Sequence, residues 1–223
     1  FSIENITSEG AADLTIYDTS GVNIIATNTG NDTIYSTGGN DTITTGSGND
    51  TVYLGNGTYT VDLGAGNDKV YLSTTASSIN GNTGTDEALV RAFDGFVDVY
   101  IDLQFSTYFV PSKLTAQDGM EVSLQNFENV TIDGNVAATI LGTAAADTLI
   151  GDTGADTITG RAGADTLTGG SKSDTFVFSS GDTGITLDTA DTITDFSTGT
   201  DKIDIATVGN YVEADGAGNA NIA

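Results

Sequence analysis

The sequence predicts an all-β fold, a parallel β-roll or β-solenoid with 18-residue coils, on three observations. The first is a period of nine: Asp32, Asp41 and Asp50 end the segments Asn28-Thr-Gly-Asn-Asp32, Thr37-Gly-Gly-Asn-Asp41 and Gly46-Ser-Gly-Asn-Asp50, each followed by Thr and then Ile or Val. The second is the return of that period at Asp147, Asp156, Asp165 and Asp174. The third is an apolar slot in the same register, filled by Ile25, Ile34, Ile43, Val52, Val61, Val70 and Ile79, then by Ile140, Leu149, Ile158, Leu167 and Phe176.

A Gly/Asn-rich turn followed by a three-residue strand with one apolar side chain is too short to bury anything alone, so it must stack on copies of itself. Two nonapeptides make one coil, and residues 18 apart then lie above one another at the strand spacing of about 4.8 Å. The apolar slots point inward and form a thin core. Residues 1–91 hold the first array, 92–128 an intervening segment of longer coils with a loop insertion, 129–178 the second array and 179–223 the segment that follows. Within 92–128, the alternating segments Phe96 to Leu103 and Val122 to Val130 read as strands, and Phe105 to Gly119, with the only Pro, reads as an excursion.

Stacked aspartates make cation sites. With calcium–oxygen distances of about 2.4 Å, an ion midway between two carboxylates one strand spacing apart reaches both, and turn carbonyls complete its shell. Successive nonapeptides fall on opposite edges, so the first array separates into two ladders. One carries Asp32, Asp50, Asp68 and Asp86 without a break; the other carries Asn23, Asp41, Tyr59 and Ser77, which leaves Asp41 as its only carboxylate and calcium expected on the first edge. In the second array Asp147 stacks under Asp165 and Asp156 under Asp174, with Asp182 and Asp191 one residue out of register for the next positions, so both edges are expected to bind. The pairs suggest roughly six to eight Ca2+ ions. Gly30, Gly39, Gly48, Gly66, Gly154 and Gly163 fit turns that demand backbone angles open mainly to Gly or Asn.

These segments resemble the RTX nonapeptide family, Gly-Gly-x-Gly-x-Asp-x-U-x with U apolar. The segment Asp191-Thr-Ile-Thr-Asp-Phe-Ser-Thr-Gly-Thr-Asp201-Lys-Ile-Asp204 resembles the region after the roll in serralysin-type proteases and other type I secreted proteins. The resemblance implies a calcium-binding β-roll that is exported unfolded and folds outside the cell.

The charge agrees with such a life. The formal net charge is −25, with six Lys plus Arg and no His or Cys. Nucleic acid is excluded as a partner, and the carboxylates would repel one another without cations. No apolar run is long enough to span a membrane. The chain starts at Phe1 without a Met and is expected to be a piece of a longer protein. Without His or Cys it lacks the usual general base, thiol nucleophile and zinc ligands, so no enzyme is expected here.

Tyr17, Tyr35, Tyr53 and Tyr71 are spaced by 18 and each follows an inward slot, which predicts an external tyrosine ladder able to meet a sugar ring or a neighbouring molecule. The function expected is therefore the calcium-binding structural region of a secreted, self-assembling cell-surface protein, S-layer-like or an adhesin, with self-association and a cell-surface polysaccharide as candidate partners. The alternative is the calcium-dependent folding and secretion module of a type I secreted hydrolase such as a serralysin-like metalloprotease.

Overall fold

The computed structural model describes residues 5–72, 77–92, 98–102, 120–125, 127–183, 186 and 189–206. They form an all-β parallel solenoid with no helix among them, built from one sheet of eleven strands and one of nine. Every pairing between these strands is parallel, and within both arrays the register is the expected 18 residues except where Asn5–Thr7 meets Ile24–Ala26 and Asn129–Gly134 meets Thr148–Ile150, at 19. Ile34 lies on Val52 and Val52 on Val70, while Ile25, Ile43, Val61 and Ile79 stack in the facing sheet. The chain alternates between sheets because each Gly/Asn-rich turn reverses it after one short strand.

All twelve predicted apolar slots are buried, none more than 2% exposed. Each such Val, Ile or Leu contributes about 1.5–3 kcal/mol. The strands are not uniform. Thr157–Thr159 and Thr166–Thr168 have the expected three residues, whereas Thr33–Gly39 and Thr51–Gly57 run seven. Five residues before each aspartate position the second array has Gly151, Gly160 and Gly169, where the first has inward, buried side chains such as Ser36 and Leu54. That place alone does not set strand length, because buried Thr45 and Leu63 follow the three-residue strands Thr42–Thr44 and Thr60–Asp62.

The insertion joins the stack in an order the sequence did not foretell. Strands Asp98–Asp102 and Met120–Gln125 both lie in the eleven-stranded sheet, between Ser77–Asn80 and Ala137–Leu141, but Met120–Gln125 comes first. The chain skips forward one rung and returns to fill the gap. Its two strands pair only through Val99 with Met120 and Tyr100 with Glu121. In the facing sheet, Glu87–Ala92 pairs directly with Asn129–Gly134 over six positions, so the two arrays form one continuous solenoid. The excursion expected at Phe105 to Gly119 lies outside the described residues.

The stack also continues past residue 178. Thr192–Ile193 pairs with the strand at Thr166–Thr168, and Lys202–Ala206 with Thr175–Ser179, giving each sheet a further rung.

The tyrosine ladder forms as predicted. Ring centroids of Tyr17, Tyr35, Tyr53 and Tyr71 are 4.8, 4.6 and 4.6 Å apart, with interplanar angles of 5°, 4° and 9°. The outer row continues into Leu89 and Thr131.

Candidate metal centre

One hydrogen bond recurs along the first edge. The backbone N–H of each aspartate donates to Oδ1 of the aspartate one coil on: Asp32 to Asp50 at 2.7 Å, Asp50 to Asp68 at 2.8 Å and Asp68 to Asp86 at 2.8 Å. Leu14 starts the series by donating to Asp32. In the second array Asp147 donates to Asp165 at 2.9 Å, and on the opposite edge Ala138 donates to Asp156 and Asp156 to Asp174. One carboxylate oxygen of each aspartate is thereby fixed by the backbone.

The other oxygen is the informative one. Oδ2 of Asp32, Asp50, Asp68, Asp86, Asp156, Asp165, Asp174 and Asp191 is buried without a hydrogen-bond partner. A buried polar atom left unpaired is destabilising, and an ionised carboxylate much more so. Eight such oxygens in two rows are a repeated demand for positive charge, which no Lys or Arg supplies by ion pair: the two ion pairs among the described residues, Lys69 with Glu87 and Arg91 with Asp133, lie on the exposed surface.

Electrostatics agree. Burial first, and then the like charge of neighbouring carboxylates, push Asp68 and Asp147 up to about 6 and Asp86, Asp156 and Asp165 up to about 7, against the partial relief of their backbone N–H donors. Asp50, Asp174 and Asp191 are raised for the same leading reason.

The turn backbone leaves room for an ion. A Cβ on Gly151, Gly160 or Gly169 would fill the space beside Oδ2 of Asp156, Asp165 or Asp174. Gly48 sits at φ 128°, where a Cβ would collide with the Gly30 carbonyl oxygen of the coil below. Gly154 has a different reason from the one expected. It is not at positive φ; a Cβ there would strike the Val136 carbonyl and the Asp156 carboxylate, so what it supplies is close approach. Among the described residues no three acidic or His side chains converge on one point, so carboxylates come at most in pairs and carbonyls would complete an oxygen shell. An all-oxygen site of that kind suits a hard cation with six to eight flexible ligands, which is calcium. Calcium would neutralise the paired carboxylates and tie adjacent coils together.

Three predicted residues stand differently. Asp41 has both oxygens engaged, Oδ1 by the Asn23 N–H at 2.9 Å and Oδ2 by the Ser36 hydroxyl at 2.7 Å, and the next coil offers Tyr59 rather than a carboxylate. Asp147 also has both oxygens engaged, Oδ2 by the Thr143 N–H at 2.6 Å and Oδ1 by the Thr143 hydroxyl at 3.1 Å. The register expected for Asp182 and Asp191 is corrected: Asp191, not Asp182, accepts from the Asp165 N–H at 3.0 Å, and Asp182 closes a tight turn by accepting from the Ser179 N–H. The coil there is lengthened to 26 residues, because an extra turn precedes Asp191.

Three acidic residues that the period missed also accept from the coil before, two of them in ladder positions. Asp201 accepts from the Asp174 N–H at 3.1 Å, Asp195 accepts from the N–H groups of Gly169 and Gly170, and Glu128 accepts from the Asp86 N–H at 2.7 Å. A signal for two of them existed. Glu128-Asn-Val130 and Asp201-Lys-Ile203 both repeat the order acid, any residue, apolar that every true rung shows.

A parallel solenoid whose edges are rows of half-satisfied buried carboxylates is a calcium-binding β-roll. The family described as RTX calcium-binding nonapeptide repeat (4 copies) matches residues 17–52, 27–61, 36–70 and 141–176, and the chain thus carries RTX repeats in both arrays. No curated protein matches the chain.

Proposed function

We propose that this chain is the calcium-folded structural region of a secreted, self-assembling cell-surface protein, of the S-layer or adhesin kind, with no catalytic role of its own. The carrying observation is the run of buried, unpartnered carboxylate oxygens from Asp32 to Asp191. Where calcium is scarce those charges repel and the chain stays expanded, which suits export through a type I pathway. At extracellular calcium each ion removes the repulsion of a rung, and free calcium at ten to a hundred times Kd adds about 1.4 to 2.7 kcal/mol per site. The ions number roughly six to eight, on the count of stacked pairs.

For the outer face, a protein partner is favoured over a polysaccharide. Sugar rings stack on aromatic faces, and the faces of Tyr35 and Tyr53 are covered by their neighbours' rings. The ladder therefore presents mostly ring edges, with Tyr17, 74% exposed, holding an open face at one end. A flat row of edges suits a second copy of the chain better than a saccharide.

Light scattering of the chelator-stripped chain during a calcium titration tests this reading. Compaction followed by growth into large particles is expected. Compaction that stops at a monomer would favour a folding and secretion module of a hydrolase instead, and a chain that ignores calcium would refute both.

A further inference from the structure

We propose that Glu128 is a calcium ligand that splices the two repeat arrays into a single ladder, so that the chain takes up calcium and folds as one unit across its insertion. The proposal rests on the calcium reading above and adds a site that lies outside every nonapeptide.

The geometry at the junction reproduces a regular rung. Within the first array the Asp68 N–H donates to Asp86 Oδ1 at 2.8 Å, and the Glu87 N–H donates to the Asp68 carbonyl at 2.9 Å. One coil further on, the Asp86 N–H donates to Glu128 Oε2 at 2.7 Å and the Asn129 N–H to the Asp86 carbonyl at 3.0 Å, although 42 residues rather than 18 separate the partners. Above it the Thr148 N–H donates to the Glu128 carbonyl at 2.7 Å, which places Asp147 as the next acid in line, although its carboxylate is held by Thr143. Glu128 thus holds an aspartate's place.

Two further facts point to an ion there. Asp86 is wholly buried, at 0% exposure, and its Oδ2 has no partner, just as in the rungs below. A second carboxylate beside an unpaired buried one adds repulsion that a cation would remove. The opposite edge offers no equivalent. Its ladder positions are Tyr59 and Ser77 in the first array, then Val122, Val99 and Ala138, with no acid again until Asp156. Only the first edge runs through the insertion as a row of carboxylates.

That location makes the ion a coupling element. The eleven-stranded sheet is thinly paired here, with two positions between Asp98–Asp102 and Met120–Gln125, as few as between Thr157–Thr159 and Thr175–Ser179. The facing sheet carries the solenoid across the insertion by the six-position pairing of Glu87–Ala92 with Asn129–Gly134, next to which Asp86 and Glu128 stand.

The test uses the full chain, stripped of metal and titrated with Ca2+ alone, with bound ions counted by equilibrium dialysis and folding followed by circular dichroism. E128Q is expected to bind one ion fewer and to split a single calcium transition into two. E128D, which keeps the charge on a shorter stem, is expected to recover the ion count with a raised calcium midpoint. E87Q, an equal charge change on the exposed face, is expected to match the parent chain. An E128Q chain with the full ion count and one transition would overturn the proposal. So would an E128D midpoint equal to that of the parent, which decides the matter if E128Q fails to fold. A parent chain that binds no calcium would instead defeat the RTX reading itself, so the two failures are distinguishable.

Discussion

At the scale of single residues, two aspartates in the same nonapeptide position differ in what they can do. Asp68 presents a buried oxygen with no partner and is pushed up to about 6 by burial and by Asp50; Asp41 has spent both oxygens on Asn23 and Ser36. Asp68→Asn is therefore expected to lower the ion count and destabilise the calcium-loaded form, by about 2.7 kcal/mol per lost site at calcium a hundredfold above Kd. It should not weaken the calcium-free form, because a charge disfavoured by burial has gone. Asp41→Asn should leave the ion count unchanged. Calorimetric titration of both variants decides it, and equal losses would contradict the distinction. The carboxylate ladder itself was legible, because spacing alone stacks Asp32 on Asp50 and Asp68. What spacing hid was the partner of each oxygen. That Ser36 occupies Asp41 depends on an inward serine five residues back in a coil, and the nonapeptide pattern places no meaning on that position.

Elements show the same division between local and long-range information. The tyrosine ladder follows from an 18-residue spacing, and the structure stacks all four rings within 9° of parallel. Tyr53 is sandwiched between two rings, whereas Tyr17 touches one. Stacked aromatic pairs contribute about 0.5–1.5 kcal/mol each beyond area burial, so Tyr53→Ala should lose about 1–3 kcal/mol and Tyr17→Ala about half of that. Melting temperatures in saturating calcium measure the difference, and equal shifts would mean that the rings merely lie side by side. The strands of the insertion were legible as alternating segments, but not their order. Which of two strands lies nearer Ser77–Asn80 is decided by pairing across a gap of some forty residues, and short-range pattern carries no record of it. The same holds at the end of the stack, where an extra turn shifted Asp191 into the place expected for Asp182.

For the whole molecule, charge and fold oppose each other until cations or protons intervene, and this fixes the sign of the pH response. The carboxyls of Asp68, Asp86, Asp147, Asp156 and Asp165 sit at about 6 to 7 in the fold, against an ordinary value of 3.8. Between those limits the folded chain binds more protons than the unfolded one, so without calcium its stability must fall as pH rises through 6 to 7 and recover as pH drops toward 4. Calcium competes for the same oxygens. Acid should therefore compact the calcium-free chain while weakening its hold on calcium, and binding near pH 6 should release protons. Circular dichroism in chelator at pH 7.5 and pH 5, paired with calcium titrations at both, tests the two halves together. Gain of structure in chelator at pH 5 with a higher calcium midpoint is the expected result. A calcium-free chain that loses structure on acidification would mean that the buried carboxylates are not what holds it open, and a calcium midpoint indifferent to pH would mean that they are not the ligands.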